Sequence, residues 1–318
     1  MIQKPRGTSD YIGKEFARRY ELENKFVDFY FKKNYQGIET PIFEQKSLFV
    51  RSVGDETDIV QKELFDLEKK SDEIYSLRPE FTAGIIRSLI EMGIKSMPLP
   101  VKIISYGPCF RYERPQKGRK RQFNQLNVEV IGKKSEELDG DIICDAITFL
   151  KSTGINDVTL NINSLGSSES RQKYARIIKD YLVSNKDRLC EVCTGRTEKN
   201  PLRVLDCKNQ DCRATIEKIP KITDSLSGEE KKYFDNVIEI LKKNNVKLNI
   251  DPFLVRGLDY YTGVIFEFNA ASDESRMSSI GGGGRYDNLV GELGGPDLPA
   301  IGLGFGFERI VEILKPTN

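Results

Sequence analysis

The sequence predicts an α+β fold, in which an antiparallel sheet is flanked by helices and interrupted by a helical insertion. Three observations favour this class. Strand patterns dominate both ends of the chain, helical patterns cluster near the start and in the middle, and the regular strand–helix alternation of a parallel sheet is missing. With 318 residues, 38% of them hydrophobic and 31% charged, the chain is long enough for one large or two smaller globular domains.

The first element is helical. Residues 14–35 carry aromatic side chains at three- and four-residue spacing, which predicts an amphipathic helix ended by Gly37. Residues 38–43 then read as extended. Pro41 confines this stretch to a sheet edge, a strand end or a contact where its missing N–H does no harm.

The central part contains strands and then helices. Two strands are predicted at 101–113 and 122–132 around a basic loop, and residues 158–162 alternate like a third strand. From 166 to 250, helical patterns surround four cysteines, and a second helix is predicted at 228–243. This stretch has 18 Lys and Arg against 13 Asp and Glu, a net charge of +5. The excess favours a domain that faces a polyanion, with an ordinary solvated helical subdomain as the alternative.

The last part returns to strand patterns and is rich in glycine. The run at 281–284 is not a phosphate-binding P-loop, because no Gly-Lys-Ser/Thr follows it. The alternating glycines Gly302 to Gly306 have the wrong spacing for a dinucleotide site, and too little chain follows them for the ribose-binding acid. A short helix closes the chain. The predicted organisation is therefore two halves of one core around an insertion: 1–165, 166–250 and 251–318.

The chain contains no histidine, which excludes several kinds of chemistry. A Ser-His-Asp triad, a Cys–His dyad and a histidine-ligated metal are all impossible. Any enzyme chemistry must therefore use Arg, Lys, carboxylates, Tyr, Cys or a bound metal. This composition favours charge stabilisation and positioning over proton transfer.

Charge and hydropathy indicate where the protein works. The formal net charge is +1, so a nucleic-acid contact would have to come from a local basic surface. No apolar run approaches the roughly 20 residues of a membrane span, and the N-terminus lacks an apolar signal core. We expect a cytoplasmic protein that does not bind membranes.

Four of the six cysteines are clustered. Their pattern is Cys190-x2-Cys193 followed, after thirteen residues, by Cys207-x4-Cys212. The spacing is similar to that of a four-thiolate zinc site, although the second pair is wider than the usual two-residue gap. The alternative is four reduced thiols in a small subdomain. A disulfide scaffold is not expected in a chain of this length without a signal peptide.

The segment 110–132 is the most informative one. Six of the eleven residues from Arg111 to Arg121 are basic, and the returning strand has two different faces. One face carries Phe123, Gln125, Asn127 and Glu129; the other is mostly apolar. Arginines bind phosphate oxygens, an aromatic ring stacks on a base, and a carboxylate holds an amine or a ring N–H. We interpret this strand as a site for a nucleotide polyphosphate beside a cationic or N–H-rich small molecule.

Three other segments supply candidate residues. In LRPEFT, Glu80 lies near Arg78, and a surface salt bridge between the two is the expected arrangement when this segment is taken alone. In LVRGLDYYTG, Arg256 lies among glycines that let the backbone approach a ligand closely. Arg309 lies near the start of the closing helix, where a cation needs an anion partner, either Glu308 or a ligand phosphate.

Taken together, these segments resemble the class II aminoacyl-tRNA synthetases, and closely the histidyl-tRNA synthetase family. GIETPIFE resembles motif 1, a dimer-interface element with a central proline. FRYERPQKGRKRQFNQ resembles motif 2, and AIGLGFGFERI resembles motif 3. LVRGLDYYTG and the tract around GGGGRYD are similar to the two histidine-specific motifs. The resemblance implies a six-stranded antiparallel sheet with the active site on the sheet.

The resemblance also implies roles for individual residues. Arg111 and Arg309 would bind ATP phosphates, with Glu113 and Arg119 beside them, and Phe123 would stack on adenine. Arg256 would contact the α-phosphate and the histidine carboxylate. Histidine would be held by residues of three segments: Glu80, Phe81, Thr82, Gln125, Glu129, Tyr260 and Tyr261.

The implied activity is ATP-dependent charging of tRNA(His) with histidine, with Mg²⁺ on the β- and γ-phosphates. A homodimer is expected from motif 1, and the insertion would approach the tRNA acceptor stem. The family also carries a C-terminal anticodon-binding domain that has no counterpart in this sequence. We therefore expect either a catalytic fragment or a short paralogue. The competing interpretation is a histidine-sensing regulatory subunit of ATP phosphoribosyltransferase, which has this fold but charges no tRNA.

Three positions depart from the family pattern. Asn124 and Asn127 stand where bacterial members commonly have His and Gly, and Phe81 replaces a frequent glycine. Asn124 is expected on the apolar face and without catalytic effect, whereas Asn127 is on the ligand-facing side.

Overall fold

The computed structural model describes residues 1–55, 57–68, 72–115, 119–271 and 277–314. Its strands are β1 Gln36–Gly37, β2 Phe43–Gln45, β3 Phe65–Asp66, β4 Tyr75–Leu77, β5 Val101–Phe110, β6 Gln122–Ile131, β7 Val158–Ser164, β8 Leu248–Ile250, β9 Thr262–Ala271, β10 Met277–Arg285 and β11 Ala300–Gly306. Its α-helices are α1 Lys14–Phe31, α2 Lys46–Val53, α3 Thr82–Glu91, α4 Glu136–Thr153, α5 Ser168–Ser184, α6 Glu191–Lys199, α7 Gln210–Ile216, α8 Gly228–Lys243, α9 Leu289–Glu292 and α10 Phe307–Ile313. Short 3₁₀ turns cover Ile94–Ser96, Lys186–Arg188, Pro201–Asp206 and Ile222–Ser225, and a π turn covers Ile59–Glu63.

The large sheet has eight strands in the order β1-β5-β6-β11-β10-β9-β7-β8. The six inner strands pair antiparallel, while β1 and β8 add parallel at the two edges. The predicted α+β class and its helix-flanked sheet are confirmed. The six antiparallel inner strands agree with the six-stranded antiparallel sheet that the resemblance implies, and the sheet is extended at each edge by a parallel strand of two or three residues.

One face of this sheet carries the main hydrophobic core. Strand β6 alternates as predicted, so Leu126, Val128 and Val130 point into the core and are fully buried. Helices α1, α4 and α8 cover that face, and α8 contributes Val237 and Leu241 to the same core. The opposite face of the sheet is therefore available for polar side chains.

Helix α1 ends earlier than predicted. It stops at Phe31 rather than continuing to residue 35, because Asn34 adopts a left-handed backbone conformation with φ of 62°. Not all of its aromatic residues face the core either. Phe26 is fully buried, but Phe16 and Tyr20 are each 59% exposed.

The stretch 166–250 consists mainly of helices, as predicted. Helices α5, α6 and α7 pack in a second hydrophobic cluster that also includes α3 and the chain around Tyr260. The predicted helix 228–243 is observed as α8 with the same bounds. It packs in the main core, so only the part before α8 belongs to the second cluster. Within the described ranges, no helix combines the length and the apolar character needed to cross a bilayer.

Candidate active site

A cavity of about 480 Å³ lies on the polar face of the sheet. Gln125 and Asn127 of β6 project into it, on the side opposite to the main core. The cavity collects residues from segments that are far apart in the chain. All of the predicted site residues except two line it: Glu80, Thr82, Arg111, Glu113, Arg119, Phe123, Gln125, Arg256, Tyr260, Tyr261 and Arg309.

Four arginines meet at this cavity. Arg111 follows β5, Arg119 precedes β6, Arg256 lies between β8 and β9, and Arg309 is in the first turns of α10. Burial and the positive charge of Arg119 lower the pKa of Arg309. Such a concentration of positive charge is a site for a polyanion.

Arg309 lines the cavity, but its contacts differ from those that the sequence predicted. It donates a hydrogen bond to the Ser279 carbonyl oxygen. Glu308, predicted as one of its two anion partners, forms a salt bridge of 2.9 Å with Arg19 and accepts a hydrogen bond from the Asn124 N–H. The carboxylate of Glu308 therefore anchors α1 and β6 to α10.

Arg111 and Phe123 form a stacking surface next to these charges. The guanidinium carbon of Arg111 lies 5.3 Å from the centre of the Phe123 ring. Its Nε donates to the carbonyl oxygen of Pro79 at 3.0 Å, which fixes the side chain. A planar base can stack on this aromatic ring while its phosphates contact the arginines.

Arg256 lies flat on the sheet. Its Nη1 contacts Glu267 Oε1 at 3.0 Å, and Ser279 donates to the same carboxylate oxygen at 2.7 Å. A Cβ on Gly282 would lie 2.8 Å from Arg256 Nη1 and 2.5 Å from the carbonyl oxygen of Phe266. The glycine in β10 is therefore needed for the guanidinium to reach this position. The glycine run 281–284 thus lies in the second half of strand β10.

A buried carboxylate closes one end of the cavity. Glu129 is 1% exposed and accepts hydrogen bonds from Thr82 Oγ1 at 2.6 Å, Asn127 Nδ2 at 2.6 Å and the Tyr286 hydroxyl. Burial raises the pKa of Glu129 to about 8, and these hydrogen bonds act in the opposite direction. A Cβ on Gly302 would overlap this carboxylate. Glu129 does not line the cavity directly; it lies behind three side chains that do.

Glu80 and Arg78 do not form the expected surface salt bridge, because both are buried. Glu80 accepts from the backbone N–H of Thr82 at 2.6 Å and of Ala83 at 3.0 Å, so it satisfies the first turn of α3. Arg78 donates to the carbonyl oxygens of Pro108 and Thr40. Its guanidinium also covers the Phe81 ring at 4.1 Å, and Phe81 is 1% exposed. Phe81 is therefore behind the cavity wall, contrary to its predicted contact with a ligand.

Three tyrosines form an aromatic wall beside the buried carboxylate. The ring centres of Tyr260 and Tyr261 are 4.7 Å apart, and those of Tyr260 and Tyr286 are 5.5 Å apart. All three are buried, and burial raises their pKa values, so their hydroxyls stay protonated as hydrogen-bond donors. In the sequence, Tyr286 stands out only as part of the glycine-rich tract. Its position two residues after the run 281–284 does not predict its contact with the other tyrosines.

The loop that carries Arg256 is held by residues that no sequence pattern indicates. Arg171 of α5 donates to the carbonyl oxygens of Asp259 at 2.5 Å and Tyr261 at 3.2 Å. The backbone N–H of Asp259 in turn donates a hydrogen bond to the Val53 carbonyl oxygen at 3.1 Å. These contacts join positions about 90 and 200 residues apart, so no local pattern announces them.

The fold and this site together are those of an aminoacyl-tRNA synthetase, an enzyme class that couples ATP to the attachment of amino acids to tRNA. The apo histidyl-tRNA synthetase of S. aureus superposes with a TM-score of 0.79 at 33% identity, covering 99% of this chain and 74% of that one. A structure described as an ATP phosphoribosyltransferase regulatory subunit/histidyl-tRNA synthetase from Bacillus halodurans C superposes with a TM-score of 0.73 at 24% identity, covering 99% and 84%. The latter likeness is one of fold.

Sequence comparison makes the assignment more specific. Residues 7–310 match the family described as Histidyl-tRNA synthetase. A histidine–tRNA ligase of Clostridioides difficile is 44% identical over 316 residues, which cover 99% of this chain and 75% of the relative. A histidine–tRNA ligase of Thermosipho melanesiensis is 44% identical over 315 residues, covering 99% and 74%. The chain belongs to the histidyl-tRNA synthetase family of ATP-dependent aminoacyl-tRNA ligases.

Proposed function

We propose that this cavity activates histidine with ATP to form histidyl-adenylate and that the histidyl group is then transferred to tRNA(His). The observation that carries the proposal is the meeting of Arg111, Arg119, Arg256 and Arg309 at one cavity beside a buried polar pocket. One part of the cavity suits a triphosphate and the other a small polar molecule. The family relationship supports the same pair of substrates.

The first step is an in-line displacement at phosphorus. A carboxylate oxygen of histidine attacks the α-phosphorus of ATP, a new oxygen–phosphorus bond forms, and the bond to the bridging oxygen breaks as pyrophosphate leaves. Attack by an already ionised carboxylate needs no general base, which agrees with a chain that contains no histidine. The residues supply alignment and positive charge where negative charge develops.

We assign the arginines to different phosphates. Arg256, fixed on the sheet by Glu267, contacts the α-phosphate and the carboxylate of histidine. Arg111 and Arg309 bind the outer phosphates with Arg119 beside them, and Phe123 stacks on the adenine. Because the guanidinium groups are held before the substrate arrives, little reorganisation is needed when charge develops.

Histidine is selected by the buried pocket. Thr82, Gln125 and the two tyrosines of the loop contact it, and Glu80 shapes the first turn of α3 against it. Glu129 accepts hydrogen bonds from Thr82, Asn127 and Tyr286 behind the cavity wall, and so orients these three side chains toward the imidazole. An analogue without both ring nitrogens would leave buried polar groups unpaired, a loss that discriminates by about 10⁴ or more.

Magnesium fits the phosphate end of the cavity. Mg²⁺ prefers oxygen ligands and usually keeps several waters while it binds phosphates and one or two carboxylates. Glu113 lines the cavity, and its Oε2 lies 3.2 Å from Nη1 of Arg119, which is assigned to the phosphates. The Glu113 carboxylate would therefore hold the ion beside the phosphates. The ion would neutralise charge on the β- and γ-phosphates.

In the second step, a ribose hydroxyl of the terminal adenosine of tRNA attacks the carbonyl carbon of the adenylate. The ester bond forms as the bond between the carbonyl carbon and the phosphate oxygen breaks, and AMP leaves with its phosphate taking up the proton of the hydroxyl. The excess of positive charge in 166–250, predicted as an insertion domain, supports an approach of that segment to the tRNA acceptor stem. Because the relatives are named histidine–tRNA ligases and bacterial translation takes place in the cytoplasm, we infer a cytoplasmic location.

We further propose a homodimer that forms around motif 1. Ile42 and Phe43, next to Pro41, are 45% and 51% exposed, and Tyr106 on β5 is 46% exposed. Exposed apolar side chains of this kind favour burial against a second subunit.

The test is histidine-dependent exchange of labelled pyrophosphate into ATP. The proposal predicts exchange that requires histidine and is not supported by other amino acids. A folded protein that binds histidine but shows no exchange would instead support the regulatory subunit of ATP phosphoribosyltransferase. A folded protein that binds neither histidine nor ATP would contradict both functions.

A further inference from the structure

The four clustered cysteines lie outside the candidate active site and close together in space. Cys190 precedes α6 and Cys193 lies in its first turn, while Cys207 follows a 3₁₀ turn and Cys212 lies in α7. All four Sγ atoms are within 4.8 Å of one another. Two separate pairs in the sequence therefore form one compact group of sulfurs.

The sulfur spacing suits a tetrahedral metal ion. Zinc–sulfur bonds of about 2.3 Å in a tetrahedron separate the sulfurs by about 3.8 Å. The Sγ atoms of Cys190 and Cys207 are 4.0 Å apart, close to that value and far longer than a disulfide bond of about 2.05 Å. All four thiols are free.

The long gap in the second pair has a structural explanation. The side chain of Asn209 accepts a hydrogen bond from the Asp211 N–H at 2.9 Å and so caps the start of α7. The chain turns after Cys207, and the first turn of the helix then brings Cys212 back to the other sulfurs. The extra two residues thus form a helix start rather than breaking the pattern.

The surroundings also fit bound thiolates. The backbone N–H of Cys190 donates to Cys212 Sγ at 3.1 Å, the type of outer hydrogen bond that supports a metal-bound sulfur. Cys193 and Cys212 are fully buried in the second hydrophobic cluster, next to Leu205 and Ile216. Four thiolates and no histidine form a soft ligand set that favours zinc over harder ions.

We propose that Cys190, Cys193, Cys207 and Cys212 bind one structural zinc ion. Four protein ligands would fill its coordination sphere, so the ion would stabilise structure rather than bind a reactant. The ion would tie α6, the 3₁₀ turn 201–206 and α7 into one unit, in addition to their packing in the second hydrophobic cluster.

The segment closed by the cysteines supports the loop that carries Arg256. Arg203 donates through Nη2 to the Gly257 carbonyl oxygen at 2.5 Å. Asn200 donates to both carboxylate oxygens of Asp259, at 3.2 and 3.3 Å. We infer that zinc positions this loop from a distance. The effect of that positioning on catalysis rests on the proposed function, whereas zinc binding does not.

Metal analysis of the full chain without a histidine tag tests the site itself. We expect about one zinc ion per chain after gel filtration. Cys190→Ser and Cys212→Ser should each retain at least about tenfold less zinc, while Cys144→Ser, a cysteine outside the cluster, should retain all of it. Folded wild-type protein without zinc after growth with added zinc would overturn the proposal, as would full zinc retention by the two cluster variants.

A second measurement works even where a cysteine variant fails to fold. Wild-type protein stripped with a chelator and reloaded with Co²⁺ should show the intense absorption of tetrahedral thiolate coordination. Alkylation of the denatured, unreduced protein should find all four cysteines as thiols. Disulfides among the four, or a spectrum of octahedral oxygen-ligated cobalt, would contradict the site.

Hydrogen exchange tests the coupling to the Arg256 loop separately from ligase activity. Zinc removal should accelerate amide exchange at 191–216 and also at 255–261. Arg203→Ala should accelerate exchange at 255–261 while zinc stays bound. Unchanged exchange at 255–261 in the zinc-free protein would overturn the positioning role and leave pyrophosphate exchange to judge the proposed function on its own.

Discussion

Arg256 is the residue on which the proposed chemistry depends most. Its guanidinium lies over β10 and is oriented by Glu267, which keeps a hydrogen bond from Ser279 when Arg256 is absent. Removal of the arginine therefore leaves no buried carboxylate without a partner. A substitution at Arg256 therefore tests the loss of the guanidinium group itself.

We predict that Arg256→Ala leaves ATP binding largely intact and slows adenylate formation by about 10² or more, the effect of losing one preorganised charge contact. Single-turnover formation of the adenylate and equilibrium binding of ATP would measure the two effects. Arg176→Ala, an exposed arginine on α5, is the matched control and should behave as wild type. A loss of less than about threefold would remove Arg256 from this role.

Glu129 connects stability to pH in the ligand-free protein. Its pKa is raised from 4.5 to about 8 by burial, so the folded protein keeps a proton that the unfolded chain releases. Between these two pH values, its contribution to the free energy of unfolding falls as pH rises. A glutamine at position 129 does not titrate, so it contributes no such pH dependence to the free energy of unfolding.

We therefore predict that the melting temperature of Glu129→Gln, relative to wild type, rises by a few degrees between about pH 5 and pH 8.5. Thermal unfolding across this range, without ligands, is the measurement. Glu91→Gln, whose side chain is 66% exposed, should show no such trend. A constant difference between Glu129→Gln and wild type would contradict a raised pKa.

For individual residues, the sequence predicted the chemistry of a side chain better than it predicted which residues that side chain contacts. The period-two alternation of Phe123, Gln125 and Asn127 along β6 predicts that they share the polar face, and Gln125 and Asn127 project from it into the cavity. The contacts of Tyr286 with Glu129 and of Arg171 with the Asp259 carbonyl could not be predicted. They join residues of different elements, and only the folded sheet brings them together.

Strand β10 is the element that gives the site its flat floor. Gly281 to Gly284 pair with β9 on one side and with β11 on the other, although the strand has no side chains over these four residues. This absence of side chains lets Arg256 rest directly on the backbone.

Gly282→Ala should disturb both the strand and the arginine, since its Cβ would approach Arg256 Nη1 and the Phe266 carbonyl oxygen. We expect a loss of stability of about 1–3 kcal/mol from overpacking, together with a large loss of pyrophosphate exchange. Denaturant unfolding and the exchange assay measure these effects. Gly291→Ala, where nothing lies within 4 Å of the new Cβ, is the matched control. Equal behaviour of the two variants would contradict the crowding.

A buried ion pair joins β10 to α4. Arg285 and Asp139 are both fully buried and form a salt bridge, and Arg285 also donates to Asp287 at 3.0 Å. Arg285→Met should lower the free energy of unfolding by about 3–5 kcal/mol, because it leaves a buried carboxylate without its counter-ion. Lys247→Met, which breaks an exposed pair with Asp157, should cost only about 0–1 kcal/mol. A loss of unfolding free energy for Arg285→Met as small as that for Lys247→Met would show that Arg285 is not structurally important.

Element boundaries were predictable where local chemistry marks them. The bounds of α8 agree with the prediction because a capping box of Ser227 and Glu230 starts the helix and Asn244 follows its last residue. The end of α1 was missed because a left-handed Asn34, not the glycine farther on, stops it. The parallel edge strands β1 and β8 were missed because two or three residues carry no periodic pattern.

At the scale of the whole molecule, the fold brings together four arginines that are spread over about two hundred residues of the chain. Spacing alone indicated basic and glycine-rich segments, but only the family resemblance predicted that Arg111, Arg119, Arg256 and Arg309 converge. The sheet order explains the convergence, because β6, β11 and β10 are neighbours in the sheet although β7 to β9 intervene in the sequence.

A crystal structure with a non-hydrolysable analogue of histidyl-adenylate is the most direct test of the proposed mechanism. We predict that the analogue lies on the glycine floor with its phosphate group in hydrogen-bond contact with Arg256, its adenine on Phe123 and its imidazole next to Thr82 and Tyr261. An analogue bound away from this cavity, or bound within it without any contact to Arg256, would contradict the proposed mechanism.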